Sequence, residues 1–148
     1  LVFAVLDNKV DCAALGNAPT HENLVVIPIL QEELVLVTPL ESDYDPVLFV
    51  RDEGCGYRKC ALTWKQEAGH AGDNLMVMSS ADGVLGCISA GLGYTIIGKN
   101  MVVGSRYEKS LVMTPVSHGQ KHVQLSIVYR KDSPLEAGTL TLAKLLTK

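Results

Sequence analysis

At 148 residues the chain is long enough for one ordinary domain or two small lobes. With 47% hydrophobic and 20% charged residues, its composition excludes a disordered chain and supports a packed core. The net charge of −3 and pI near 5.8 exclude a duplex-binding surface as its main feature, and no apolar run approaches the roughly 20 residues that span a bilayer.

Leu1 opens inside an apolar pattern with no initiator Met, so the chain is expected to be a fragment. Apolar residues at 2, 3, 5, 6 and 10 suit the end of an amphipathic helix, with Asn8 placed for a left-handed closing position. Residues 10–15 (VDCAAL) read as a short buried strand and 16–23 as a loop. Residues 24–30 form another apolar segment, and 33–38 (ELVLVT) a buried strand. The polar stretch 39–46, with ESDYD inside it, predicts a crossover and a first lobe boundary.

The next unit carries the chemistry. Residues 47–50 predict a buried strand, 51–56 a polar turn, and 57–69 an amphipathic helix. Apolar Tyr57, Cys60, Ala61, Trp64 and Ala68 fall at i, i+3, i+4, i+7 and i+11, the stripe of a helix packed on one side. Gly54 and Gly56 let the backbone turn sharply and approach whatever lies in front of it. The first N–H groups of a helix have no partner within it, and the helix dipole adds partial positive charge there. A helix start after a strand and a glycine-rich turn is thus a ready anion site, to which Arg58 brings a forked cation. The competing reading is an ordinary helix cap with Arg58 solvated.

Residues 75–78 (LMVM) predict a second short buried strand. Ser79, Ser80, Ala81 and Asp82 then supply an N-cap and an acidic first turn. The helix that follows has apolar positions 81, 84, 85, 88 and 92. Gly91 and Gly93 stop it, and 94–97 form the next strand. Two strand–helix–strand passes in succession imply parallel pairing. Residues 99–110 read as irregular or a short helix, and 111–116 and 123–129 as strands. Ser133, Pro134 and Glu136 match a cap, a first-position proline and a capping-box acid, opening a helix whose apolar side is Leu135, Leu142, Leu145 and Leu146.

The order of these pieces resembles the effector-binding domain of LysR-type transcriptional regulators. VDCAAL is similar to that family's "G-x-hydrophobic-D-hydrophobic-A-hydrophobic" strand, with Asn8 where Gly is common. EELVLVTP looks like its next strand. FVRDEGCGYR is similar to an "F-R-x-G-C-S/T-Y-R" turn, with Gly56 replacing the hydroxyl residue. VMSSADGVLGCISAGLGYTIIGKNMV resembles the segment ending "G-L-G-hydrophobic-x-L-L-P", with Gly98 in place of Pro. The resemblance implies a two-lobed α/β fold of the periplasmic-binding-protein type II kind, Rossmann-like lobes joined by two crossovers. Lobe I would comprise 1–39 and 112–148 and be incomplete, lobe II 40–111. It further implies a small anionic, carboxylate-like effector in the interlobe cleft, with Cys55, Gly56, Tyr57, Arg58, Ser79, Ser80, Gly16, Asn17 and Thr38 as ligand-binding residues. A homodimer or tetramer is implied, reaching DNA only through an N-terminal domain absent from this chain.

Ser79 and Ser80 stand at the carboxyl end of a strand, where open sheets bind ligands, but capping alone also explains them. Cys55, at a helix start near two arginines, has the setting of a reactive thiol, although a structural cysteine is commoner there. Cys60 faces the apolar stripe. The four cysteines lack framework spacing, which fits a reducing cytoplasm. His118 and His122 lack a third partner for zinc, and the 91–98 glycines lack dinucleotide spacing. No G-x-S-x-G, H-E-x-x-H or paired-carboxylate arrangement points to catalysis, and no cofactor is expected. The expectation is a cytoplasmic regulatory ligand sensor; the rival is an extracytoplasmic solute-binding protein of the same architecture.

Overall fold

In the computed structural model the chain divides into two units, Leu1–Gln31 with Gln124–Lys148, and Glu32–Val123. Residues 1–41 and 43–147 are described. Ser42, within the expected crossover, and Lys148, at the end of the expected terminal helix, lie outside the described residues. The units are drawn differently from the expected lobes, because 34–39 pairs with strands of the second unit and is counted there.

The first unit opens with α1 (Val2–Leu6), closed by Asn8 at φ 57° as its sequence predicts, and then β1 (Cys12–Gly16). β1 runs antiparallel to β7 (His122–Arg130), with Ala13 opposite Val128 and Leu15 opposite Ser126. β7 in turn neighbours the start of β2 (Leu24–Pro39). The apolar segments expected at 24–30 and 33–38 are therefore one 16-residue strand. Val5, Ala13, Leu24 and Val128 form the core of this unit.

The terminal helix departs from expectation. α5 spans Glu136–Leu146 and begins three residues after Ser133, whose hydroxyl accepts instead from the Leu135 N–H at 3.2 Å. Glu136 accepts from the Tyr129 hydroxyl at 3.1 Å, so it does not serve as a capping-box acid. The buried face is Thr139 and Ala143, while Leu135, Leu142, Leu145 and Leu146 are 40–61% exposed.

The second unit is a mixed sheet with helices. β3 (Val47–Arg51) is parallel to β4 (Asn74–Met78), and Leu48 bridges Tyr94 in the parallel sense next to β5 (Thr95–Gly98). The first strand–helix–strand pass thus pairs in parallel as predicted. In the second, β4 and β5 do not pair with each other among the described residues, and the chain entering β5 bridges β3 in the parallel sense. β5 runs antiparallel to the second half of β2, Leu34 opposite Gly98, and β2 pairs likewise with β6 (Leu111–Pro115). The connecting helices are α2 (Gly56–Glu67), α3 (Ala81–Ser89) and α4 (Lys99–Val102), followed by a 3-10 turn at Glu108–Ser110. Val35, Val37, Phe49, Val84, Leu85, Ile88 and Ile97 centre the core. Chain packing here is close: a Cβ on Gly93 would lie 2.9 Å from the Phe49 ring.

Two expected faces differ. The 75–78 run is an edge strand with Leu75, Met76 and Val77 at 44–50% exposure, because β4 pairs with β3 on one side only among the described residues. Leu92 lies beyond the end of α3 and is exposed, since the chain turns at Gly91 with φ +80°.

Candidate functional site

The corner where β3 passes into α2 is built as the residues dictate. Gly54 takes φ +85°, the left-handed conformation that L side chains resist, so the demand for glycine falls there. Gly56 is simply the first helical residue. Cys55 is the N-cap in extended conformation and makes no side-chain cap bond. Its own N–H reaches the Asp52 carbonyl at 3.3 Å, and the Arg58 N–H reaches the Cys55 carbonyl at 3.1 Å. On the other face of the helix Cys60, Ala61 and Trp64 are buried, which holds α2 against the sheet.

Two arginines line this corner. Arg58 Nη1 donates to the Arg51 carbonyl at 2.9 Å, which pins Arg58 back along the end of β3. Arg51 Nε is buried and has no hydrogen-bond partner. An orphaned, buried guanidinium N–H costs free energy unless something accepts from it. Beneath these residues a cavity of about 10 Å³ is lined by Val50, Ala61, Val84, Thr95 and Ile97 among others, room for one water and no more. A ligand here would sit on the outer side of the turn.

Strand directions decide what else reaches the corner. Because Arg51 pairs with Met78, Ser79 and Ser80 emerge at the same end of the sheet, both exposed. Ser80 Oγ accepts from the Gly83 N–H at 3.3 Å and caps α3. Thr38 lies at the opposite end, since β2 is antiparallel to β5 and Thr38 follows Val37, the partner of Thr95. Gly16 and Asn17 belong to the other unit, where Asn17 (φ 52°) ends β1 and its N–H donates to the Gln124 carbonyl at 2.8 Å.

The same antiparallel geometry delivers a residue that the sequence reading passed over. Glu32 precedes Leu34, the partner of Gly98, and so stands at the corner's end of the sheet. It is 3% exposed. Its Oε2 accepts from the Tyr57 hydroxyl at 2.8 Å and its Oε1 from the Asn100 N–H at 3.0 Å. Burial, and then the bond to Glu32, push the Tyr57 hydroxyl pKa well above the ordinary tyrosine range. Tyr57 thus spends its proton on Glu32. Cys60, with its thiol pKa raised by burial, is core as expected.

With this geometry in view, the whole chain, residues 1–148, matches the LysR substrate binding domain. It belongs to that family. The HTH-type transcriptional regulator SoxR of Arthrobacter sp. (strain TE1826) is 32% identical over 107 residues, covering 69% of this chain and 37% of the relative. GltR of Bacillus subtilis (strain 168), likewise an HTH-type transcriptional regulator, is 29% identical over 140 residues, 89% of this chain and 47% of the relative. The chain therefore spans less than half the length of these two regulators.

Among solved structures, a mutant OxyR2 regulatory domain from Vibrio vulnificus superposes with a TM-score of 0.78 at 16% identity, covering 99% of this chain and 74% of that one. The CcmR regulatory domain of Synechocystis PCC6803, solved in complex with 2-PG, gives 0.73 at 16% identity, covering 99% and 76%. The LysR-type domain has the periplasmic-binding-protein type II-like fold and is an effector-binding regulatory domain. The solute-binding alternative is not favoured, since the family and these relatives are regulators. Among the described residues, no helix is long and apolar enough to cross a membrane.

Proposed function

We propose that this LysR-type domain senses a small carboxylate-sized anion at the start of α2, within a cytoplasmic bacterial transcription regulator. The observation that carries the reading is the uncapped start of α2, with Arg51 and Arg58 both lining the same corner. The N–H groups of the first turn, Arg51 and Arg58 would hold the anion through charge-assisted bonds. Cys55, Gly56 and Tyr57 contribute backbone and ring, and Ser79 and Ser80 add hydroxyls from the neighbouring strand end. The effector would act by binding one conformation of the regulator more tightly than another, since equal affinity shifts no population. In the whole regulator, homodimers or tetramers would carry that shift to DNA through a separate DNA-binding segment.

A titration of the chain with sodium acetate, followed by backbone amide resonances, tests the site. Gly56, Tyr57 and Arg58 N–H signals are expected to move together and saturably, and the response should weaken at least tenfold in Arg58→Ala. Saturable shifts elsewhere with none in the α2 turn would remove this reading.

A further inference from the structure

Both oxygens of the Glu32 carboxyl accept hydrogen bonds from true donors, the Tyr57 hydroxyl and the Asn100 N–H, which is how an ionised carboxylate is bonded. Neither of those donors is a cation. The neighbouring acid, Glu33, is ion-paired to Lys99 at 2.8 Å on the exposed side. Gly98 leaves room for the buried carboxylate, because a Cβ there would overlap Glu32 Cδ and Oε1. Glu32 is thus a fixed negative charge held one tyrosine side chain away from the first turn of α2.

We propose that Glu32 is a specificity-determining residue of the α2 corner, a buried charge that shifts the site's relative affinity away from dianions and toward monoanions such as single carboxylates. The inference rests on the reading of this corner as an anion site. Glu32 acts through space, because Tyr57 stands between it and any ligand. Its repulsion opposes every anion, and the free-energy penalty scales with ligand charge, so a dianion bears twice that of a monoanion. Burial keeps the charge from being screened as a surface carboxylate would be. Attraction by Arg51, Arg58 and the helix start scales with ligand charge in the same way, so Glu32 reduces the advantage that these groups give a dianion over a monoanion. For a separation of roughly 9 Å and an effective dielectric near 40, each unit of ligand charge corresponds to about a fivefold change in affinity.

The test compares acetate with sulfate at fixed ionic strength, read on the Gly56, Tyr57 and Arg58 N–H resonances of the chain and of Glu32→Gln. The variant is expected to bind acetate about fivefold more tightly and sulfate about the square of that, roughly twenty-five-fold. Glu32→Asp, which keeps the charge, should retain the original sulfate-to-acetate ratio. Should Glu32→Gln fail to fold, Glu32→Leu combined with Tyr57→Phe removes the charge and its hydroxyl partner together and should raise the ratio in the same sense. Equal gains for both anions, or a Glu32→Asp ratio matching that of Glu32→Gln, would overturn the role of Glu32 and leave the anion site standing. No response to either anion in the unaltered chain would remove the site and this inference together.

Discussion

Gly98 is a glycine because Glu32 occupies the place its side chain would need. A Cβ on Gly98 would overlap the carboxyl carbon of Glu32 and lie 2.9 Å from its Cγ. Both residues are buried, so neither has free space to retreat into. The departure from a proline at this position of the family pattern thus has a partner 66 residues earlier in the chain, on the adjacent antiparallel strand.

Gly98→Ala is therefore expected to expel Glu32 and break its bonds to Tyr57 and Asn100. Overpacking of this kind costs typically about 1–3 kcal/mol. For a chain of this size that lowers Tm by roughly 2–12 °C. Glu32→Ala in the same background should recover part of the loss, because it removes the clash. A melting curve for Gly98→Ala that overlays the parent would show the strand can shift, and the steric account would be wrong.

The proposed anion contact of Arg58 and its observed bond to β3 are separated by different measurements. Removing a charge-assisted contact to an anion costs about 1.5–3 kcal/mol of binding, or roughly ten- to hundredfold in affinity. The sequence alone leads one to expect folding to be almost untouched. The bond from Arg58 Nη1 to the Arg51 carbonyl changes that expectation. Arg58→Ala should now also lose about 1 kcal/mol of stability, visible as a fall of a few degrees in Tm. Normal acetate binding with early melting would make Arg58 a clamp on β3 and nothing more.

Ser79 and Ser80 can be told apart by stability. Only Ser80 has its hydroxyl on an α3 N–H, that of Gly83 at 3.3 Å. Ser80→Ala should cost about 1 kcal/mol, the usual price of a lost N-cap. Ser79→Ala, an exposed position beyond the strand, should leave Tm within a degree. If Ser79→Ala weakens acetate binding while melting normally, the serine belongs to the site. If both variants melt alike, the assignment of the cap is at fault.

The order of strands and helices was legible because each element carries its own period. Tyr57, Cys60, Ala61 and Trp64 announce a one-sided helix, and three of the four are buried. What the period does not carry is which strand has a neighbour. LMVM reads as apolar whether it lies mid-sheet or at an edge, and it lies at the edge. Glu32 was hidden for a related reason. The QEE run between two apolar segments looks like a break, and only pairing with β5 turns it into the middle of one long strand that places Glu32 behind Tyr57. The α5 start misled through local chemistry: Ser133 satisfies an N–H two residues on, and Tyr129 takes the acid meant for the capping box.

The far end of α2 makes a prediction about acid. Tyr94 donates to Asp73 Oδ2 at 2.6 Å, and the His70 ring meets the same oxygen at 2.8 Å. Partial burial pushes the Asp73 carboxyl up. The bonds from Tyr94 and His70, with the charges of His70 and Lys65, outweigh it and hold the pKa below the usual value. A carboxyl depressed in the folded state contributes stability that is present above its unfolded pKa, near 3.9, and lost as pH falls through the lower folded value. Stability should therefore decline from about pH 4 downward, and Asp73→Asn should flatten that part of the profile while lowering stability near neutrality. Trp64 is the only tryptophan, and its ring stacks on His70 with centroids 4.9 Å apart. Its fluorescence in urea titrations at stepped pH reports both the cluster and global unfolding. An Asp73→Asn chain that loses stability toward acid as steeply as the parent would assign the acid sensitivity to other carboxylates.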